Sequence, residues 1–407
     1  MPIESIEGEL QVAYASLSAA VATMRHGHER YLDGPAAAPP GQAAPPDQAA
    51  RPGQDPFGAV TALTAAHPWA LAGFGEPAWD TYQPDPHASP PEGLRVGVLR
   101  LADHAGTPLP AVVRFARHGH LLISEGGFVP GARSLLQALA LRLATAPAPG
   151  TVRFALADPV GQGQHLSAFL RLPAPMRVGH RVAASPEEID DLLTTLTGIV
   201  VEVTQTRLTN VYTSVEAYNA AATGPAIPYH VLVLAGFPAG FSDRSAELLG
   251  RLARNGPRAG LYLLGTVDPA LPRPRAFDTA ALTALGTTVG LDAHGDLSWD
   301  DPEFGPSVIV PDQMPAAARA NPWLDAVGAA ASSASRDLPF AQIAIPAPRH
   351  WAAVSHDGLD VQIGVDSRGE PQHFVMGVRG VHHGLVGGDV RMGKTNLLHV
   401  LISQLAL

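Results

Sequence analysis

The sequence predicts an α/β protein built on a mostly parallel, doubly wound sheet. Three observations carry that expectation. Short apolar runs of strand length alternate with segments whose apolar residues recur at helical spacing. Helix-start signals follow the strand runs, as at Ser185-Pro186 with Glu188 and again at Ser242. Near the end, a glycine-rich loop carrying lysine and threonine, Gly388-Asp389-Val390-Arg391-Met392-Gly393-Lys394-Thr395, lies between an apolar run and an apolar helix.

In chain order, Ile3, Ile6, Leu10, Ala13, Leu17, Ala20 and Met24 recur in alternating steps of three and four, the seam of a helix or short coiled coil over 1–33. Residues 34–56 are dense in Pro, Ala, Gly and Gln without periodicity and read as a linker. A first α/β domain is expected over 57–335. Its strands are Leu94 to Leu99, Leu121 to Ile123, Val152 to Ala157, Val231 to Leu234 and Leu261 to Leu264, followed by late strands at Leu285 to Leu291 and Val308 to Val310. Leu135, Leu136, Leu139 and Leu143 mark one helix, and a long helix starts after Ser185. Another runs from Ser242 to a stop near Gly256, and a small-residue helix from Pro322 to about Ser333 closes the domain. A second domain is expected over 336–407, with strands at Phe340 to Ile345 and Val361 to Gly364 and a third ending at Leu385-Val386.

Bulk composition narrows the function classes. The chain of 407 residues is 46% hydrophobic and 16% charged, as expected of a globular protein. It has no cysteine, which excludes disulfides, thiolate metal sites and cysteine nucleophiles. A formal charge of −10 argues against broad coating of nucleic acid. The acidic start shows no signal-peptide pattern and no apolar run reaches membrane-spanning length, so a cytoplasmic protein is expected.

The loop carries the chemistry. Gly388 and Gly393 let the backbone bend so that successive N–H groups face the phosphates of ATP. Asp389, Val390, Arg391 and Met392 fill the variable positions of the cradle. Lys394 adds a cation, and the Thr395 hydroxyl is the expected ligand of Mg²⁺. Asn396 to Ile402 reads as the helix whose start receives the phosphates.

The block His382-His383-Gly384-Leu385-Val386-Gly387-Gly388 through Lys394-Thr395-Asn396-Leu397-Leu398-His399, with Val361 to Gly369 before it, resembles the FtsK/SpoIIIE (HerA-related) class of RecA-like ATPases. That class usually has small residues and a further glycine where this chain has 389–392, so the bulk of Arg391 and Met392 is expected to alter nucleotide affinity. The first domain is similar to a decayed copy of the same fold. Gly131-Ala132-Arg133-Ser134 falls where a phosphate loop would lie, with Ala132 at the lysine position and Arg133 at the Ser/Thr position. The strand of Val231 to Leu234 ends in Ala235-Gly236 where a catalytic copy would carry Asp-Glu. Tyr212 to Asn219 resembles multidomain actinobacterial members.

The resemblance implies a hexameric ring motor that moves DNA, with a nucleotide-incompetent first domain. Its Walker B acid and remaining catalytic groups are expected beyond Leu407, so this chain by itself is expected not to turn over ATP. The alternatives are a non-catalytic assembly module and a protein-export motor of the type VII secretion kind. Other candidates carry little. His118 and His120, and His382 and His383, lack a third ligand at zinc spacing. Asp300, Asp301 and Glu303 lie in a Pro/Gly loop, and Ser124, Ser134 and Ser242 lack a nucleophile-elbow context. Gly161-Gln162-Gly163 lacks the third glycine of a dinucleotide site.

Overall fold

Val/Leu-rich runs bounded by turn residues suit strands buried on both faces, and in this chain they form the centre of one ten-stranded sheet. The computed structural model describes residues 64–407 apart from 66, 91–92, 101–108, 116–118, 126–128, 210, 222–225, 273, 275–281, 283, 293, 302–304, 335–339, 353, 355, 357, 366–370, 378–382 and 388–392. The expected helix of 1–33 and linker of 34–56 lie outside the described residues. The chain divides into two units, the larger reaching Ala334 and the smaller formed mainly by residues 335–407.

In the larger unit the strands are β1 (Gly93–Arg100), β2 (Leu109–Arg114), β3 (His120–Ser124), β4 (Val152–Ala157), β5 (Arg177–Ala183), β6 (Tyr229–Phe237), β7 (Leu261–Val267), β8 (Gly286–Leu291), β9 (Leu297–Asp301) and β10 (Gly305–Pro311). Their spatial order is β2-β1-β10-β9-β8-β3-β7-β6-β4-β5. Every pairing from β8 through β5 is parallel. Those from β8 through β2 are antiparallel. This is the expected α/β, mostly parallel sheet, extended by an antiparallel wing. The strands β2, β5 and β9 were not legible in the sequence. Proline, arginine or aspartate interrupts each of them, and pairing with a neighbour supplies the order their own pattern lacks.

The helices are α1 (Pro68–Leu71), α2 (Val129–Thr145), α3 (Pro186–Glu202), α4 (Val215–Ala221), α5 (Asp243–Asn255) and α6 (Ala317–Ala334). On one face Leu135, Leu139 and Leu324 pack with Val231 and Val233; on the other Ile189, Leu196, Leu249 and Leu252 pack with Leu232 and Leu234. Alternate residues of β6 thus feed two cores, as a doubly wound sheet requires. The expected capping box of α3 is present, with Ser185 Oγ accepting from the Glu188 amide at 3.3 Å and the Glu188 carboxylate accepting from the Ser185 amide at 3.3 Å. Helix α5 stops at Asn255 with Gly256 as its C-cap, as expected, in a right-handed conformation. A 3₁₀ turn, Pro257–Ala259, follows, and the left-handed residue is Gly260 at φ 73°. Helix α6 begins before the expected Pro322 and keeps it inside.

An ion cluster ties the first core together. Arg142 of α2 is fully buried and donates to Asp312 Oδ2 at 2.6 Å and to the carbonyls of Trp69, Ala70 and Ala72. Arg95 reaches the same Asp312 oxygen at 3.2 Å and the Leu71 carbonyl at 2.7 Å. Burial lowers the Arg142 pKa to about 10, with Asp312 opposing the shift.

The smaller unit contains α7 (Phe340–Ile343), an antiparallel hairpin of β11 (Leu359–Val365) and β12 (Pro371–Met376), and α8 (Lys394–Ala406). The strand expected at Phe340 to Ile345 is instead a helical turn, closed by Ala344 N–H to Phe340 O at 2.8 Å. Strand β11 is paired with β12, so the local bond satisfies this stretch of backbone.

Candidate nucleotide-binding site

Of the predicted loop, Gly393, Lys394 and Thr395 are placed; Gly388, Asp389, Val390, Arg391 and Met392 lie outside the described residues. Gly393 is the N-cap of α8 at φ 85°, a left-handed conformation that favours glycine, and an added Cβ there would meet nothing. Lys394 is the first helical residue and Thr395 the second; Lys394 is half-buried and Thr395 exposed. Among the described residues no side chain caps this end, and the first-turn amides of a helix point out of its start. Amide donors, the positive end of the helix dipole and an ammonium group together favour an anion.

The helix is held from its far end. Gln404, almost wholly buried, donates to Ile343 O at 2.7 Å and to Gln362 O at 2.9 Å, and accepts from the Ile345 amide at 3.1 Å. Leu401 packs inward beside it, whereas Leu398, Ile402 and Leu405 are exposed. The strand expected to end at Leu385-Val386 is absent: residues 383–387 have no ladder, and Leu385 is 98% exposed. A buried strand needs a hydrogen-bonded neighbour, and the described strands of this unit are already paired with each other.

The corresponding edge of the larger unit is built differently. Residues 125–128 alone connect β3 to α2, and the stretch expected as a decayed phosphate loop, Gly131 to Ser134, is already helix. Ala132 is 0% exposed within the core, leaving no room for a longer side chain. Ala235 is buried, and a Cβ on Gly236 (φ 76°) would lie 2.4 Å from the Val160 side chain. Neither position has space for the carboxylate of a catalytic strand end.

What fills this edge is a set of internal bonds that the sequence did not single out. The Glu125 amide donates to Val267 O at 2.8 Å. The Thr266 hydroxyl oxygen accepts from the Gly236 amide at 2.7 Å. Burial raises the Glu125 pKa, with Asp268 adding to the rise and Thr266, Arg133 and His165 opposing it. Asp158 closes the neighbouring turn through the amides of Gly161 and His165, at 2.8 and 2.9 Å, and the His165 ring, at 3.0 Å. The Gly161-Gln162-Gly163 stretch is therefore an aspartate-closed turn. An Asp three residues before a Gly was its available signal.

The discounted candidates resolve in the same way. His120 is a core residue: its Nδ1 accepts from the Leu263 amide at 3.0 Å, which makes Nε2 the donor to Ala253 O at 2.7 Å. His118, His382 and Glu303 lie outside the described residues. Among the described residues no group of three His, Cys, Asp or Glu side chains is placed to hold a metal. Ser134 accepts from the Met314 amide, and Ser242 caps α5. No described helix is long and apolar enough to cross a membrane.

No protein-family model and no curated protein matches the sequence. Solved structures do. EssC (ATPases 2 and 3) from Geobacillus thermodenitrificans is 16% identical over 80% of this chain and 66% of its own, with a TM-score of 0.49. The cytoplasmic domain of the type VII secretion ATPase EccC from Thermomonospora curvata is 17% identical over 76% and 39%, with a TM-score of 0.43. The pCW3 conjugation coupling protein TcpA, in its monomer form with ATPγS, is 12% identical over 57% and 70%, with a TM-score of 0.42. The chain spans just under two thirds of the length of the first of these structures.

Proposed function

We propose that residues 336–407 carry the nucleotide-binding start of a P-loop motor ATPase of the FtsK/SpoIIIE kind, and that 57–335 form an ATPase-like scaffold that binds no nucleotide. One observation carries this reading: at the start of α8 left-handed Gly393 is followed directly by Lys394 and Thr395. Amides and an ammonium group with no acid among those three residues fit a polyphosphate. Gly388 to Thr395 would cradle ATP, Lys394 countering the charge of its outer phosphates and Thr395 holding Mg²⁺. Bound ATP supplies the phosphoryl-transfer free energy of such a motor. In the larger unit the buried Ala132 and the crowded Gly236 support the absence of a second nucleotide site.

The polymer moved is DNA in the first reading, by a hexameric ring in the cytoplasm. A secreted polypeptide is the second, and the formal charge of −10 favours it. Calorimetric titration with Mg-ATP tests the site. Binding that Lys394→Ala weakens by about tenfold or more supports it; binding indifferent to that change, or saturating at two equivalents per chain, overturns it. Stimulation of ATP turnover by duplex DNA in the assembled motor separates the two polymers.

A further inference from the structure

Helices α3 and α5 lie side by side on one face of the larger unit, packed on the same core. Each starts within a few residues of the end of a parallel strand and packs back along the sheet, so both run antiparallel to the strands and parallel to one another. Their starts are linked by Ser242 Oγ donating to Asp190 Oδ1 at 3.3 Å, so α5 begins about one turn below the start of α3. The exposed line of α5, continued into the next turn, is Arg244, Glu247, Arg251, Arg254 and Arg258. Glu247 meets Arg251 only at 4.0 Å, and among the described residues Arg244, Arg254 and Arg258 make no ion pair. The exposed line of α3 is Glu187, Asp191, Thr195, Gly198 and Glu202. One helix thus presents arginines and the other carboxylates.

Gly198 adds an independent observation. Glycine inside a helix is unfavourable, and it persists where backbones must approach closely. At Gly198 an added Cβ would meet nothing within 4 Å, so no intramolecular packing requires its absence. Its openness lies in the middle of the acidic line, where an outside surface would have to come near.

We propose that the α3/α5 face docks on the same face of a second copy, about a two-fold axis parallel to the helices. That operation sets α3 of one copy opposite α5 of the other without reversing direction. Asp191 then stands level with Arg244. Glu202 lies about 16 Å further along its helix and Arg254 about 15 Å along its own, so the lower pair is level as well. The contact is isologous, each pairing occurring twice, and the small residues Thr195 and Gly198 let the helices close. It does not depend on nucleotide.

Sedimentation equilibrium of the chain tests this. A monomer–dimer equilibrium weakened by salt is expected. Arg244→Glu with Arg254→Glu should weaken it about tenfold or more, as should Asp191→Arg with Glu202→Arg. Mixing the two variants should restore dimer, because each then meets its complement. Gly198→Gln should block association without lowering the melting temperature, which separates lost docking from lost folding. A chain that stays monomeric throughout, an oligomer indifferent to these changes, or a mixture that fails to restore dimer overturns the proposal.

Discussion

Two helix starts can be set against each other: α2 in the larger unit and α8 in the smaller. Each follows a stretch containing glycines and carries an apolar helix. In the first turns of α2 Ala132 is wholly buried, and Glu125 at the preceding edge is buried too, its amide bonded to Val267 O. At α8 the first turn follows left-handed Gly393 and bears half-buried Lys394 and exposed Thr395. A helix start can receive an anion through its first-turn amides and dipole, and a cation beside them adds to the attraction.

The largest effect that would sharpen this contrast comes from Asp312. It is the carboxylate shared by Arg95 and Arg142, and Asp312→Ala leaves two buried guanidinium groups without it. We expect a loss of about 3–5 kcal/mol in the unfolding free energy of the larger unit. Urea titration measures it, while Mg-ATP affinity at Lys394 should be retained under native conditions.

Next in size is acid sensitivity. Burial, then Arg153, lowers the His230 pKa to about 4 from an ordinary 6.5, and neither ring nitrogen has a partner. Above pH 6.5 the ring is neutral in folded and unfolded chains alike and contributes no difference. Below it, the unfolded chain takes up a proton that the buried ring refuses, so stability falls until the folded pKa is reached. At pH 5 the loss is about 2 kcal/mol. Comparing urea midpoints at pH 7 and 5 for the native chain and His230→Leu isolates it: the variant should lose less on acidification. His120, whose pKa is also lowered by burial, leaves some sensitivity behind.

Smaller again is Ser185→Ala, which removes the α3 cap and should cost about 1 kcal/mol, read as a shifted urea midpoint. The smallest effect is expected at Arg133. If the larger unit binds no nucleotide, Arg133→Ala leaves Mg-ATP affinity unchanged; a clear loss of affinity would place a phosphate near α2 and break the contrast.

Much of the fold was legible because several of its parts are local. The apolar runs at Leu121 to Ile123, Val231 to Leu234 and Leu261 to Leu264 suit burial on both faces, and Ser185 with Glu188 signals a helix start within a few residues. Strands β5 and β9 were missed because Arg177 to Ala183 and Leu297 to Asp301 lack a continuous apolar signal. Phe340 to Ile345 misled for the opposite reason: an apolar run suits a strand or one turn of helix equally, and only the pairing of β11 with β12 decides. At the site, glycine, lysine and threonine were readable from spacing. The bond from the Gly236 amide to Thr266 and the burial of Glu125 beside them were not, since these residues come from three separate strand ends.

By itself the sequence determined the alternation of strands and helices, the capped start of α3, and a lysine at the start of an apolar helix. All of these are set by residues near one another along the chain. Tertiary structure alone decided the antiparallel wing, the burial of Arg142 against Asp312, and the closing of the α2 edge by Glu125. Each of these depends on groups brought together from distant parts of the chain, where burial and pairing outweigh local preference.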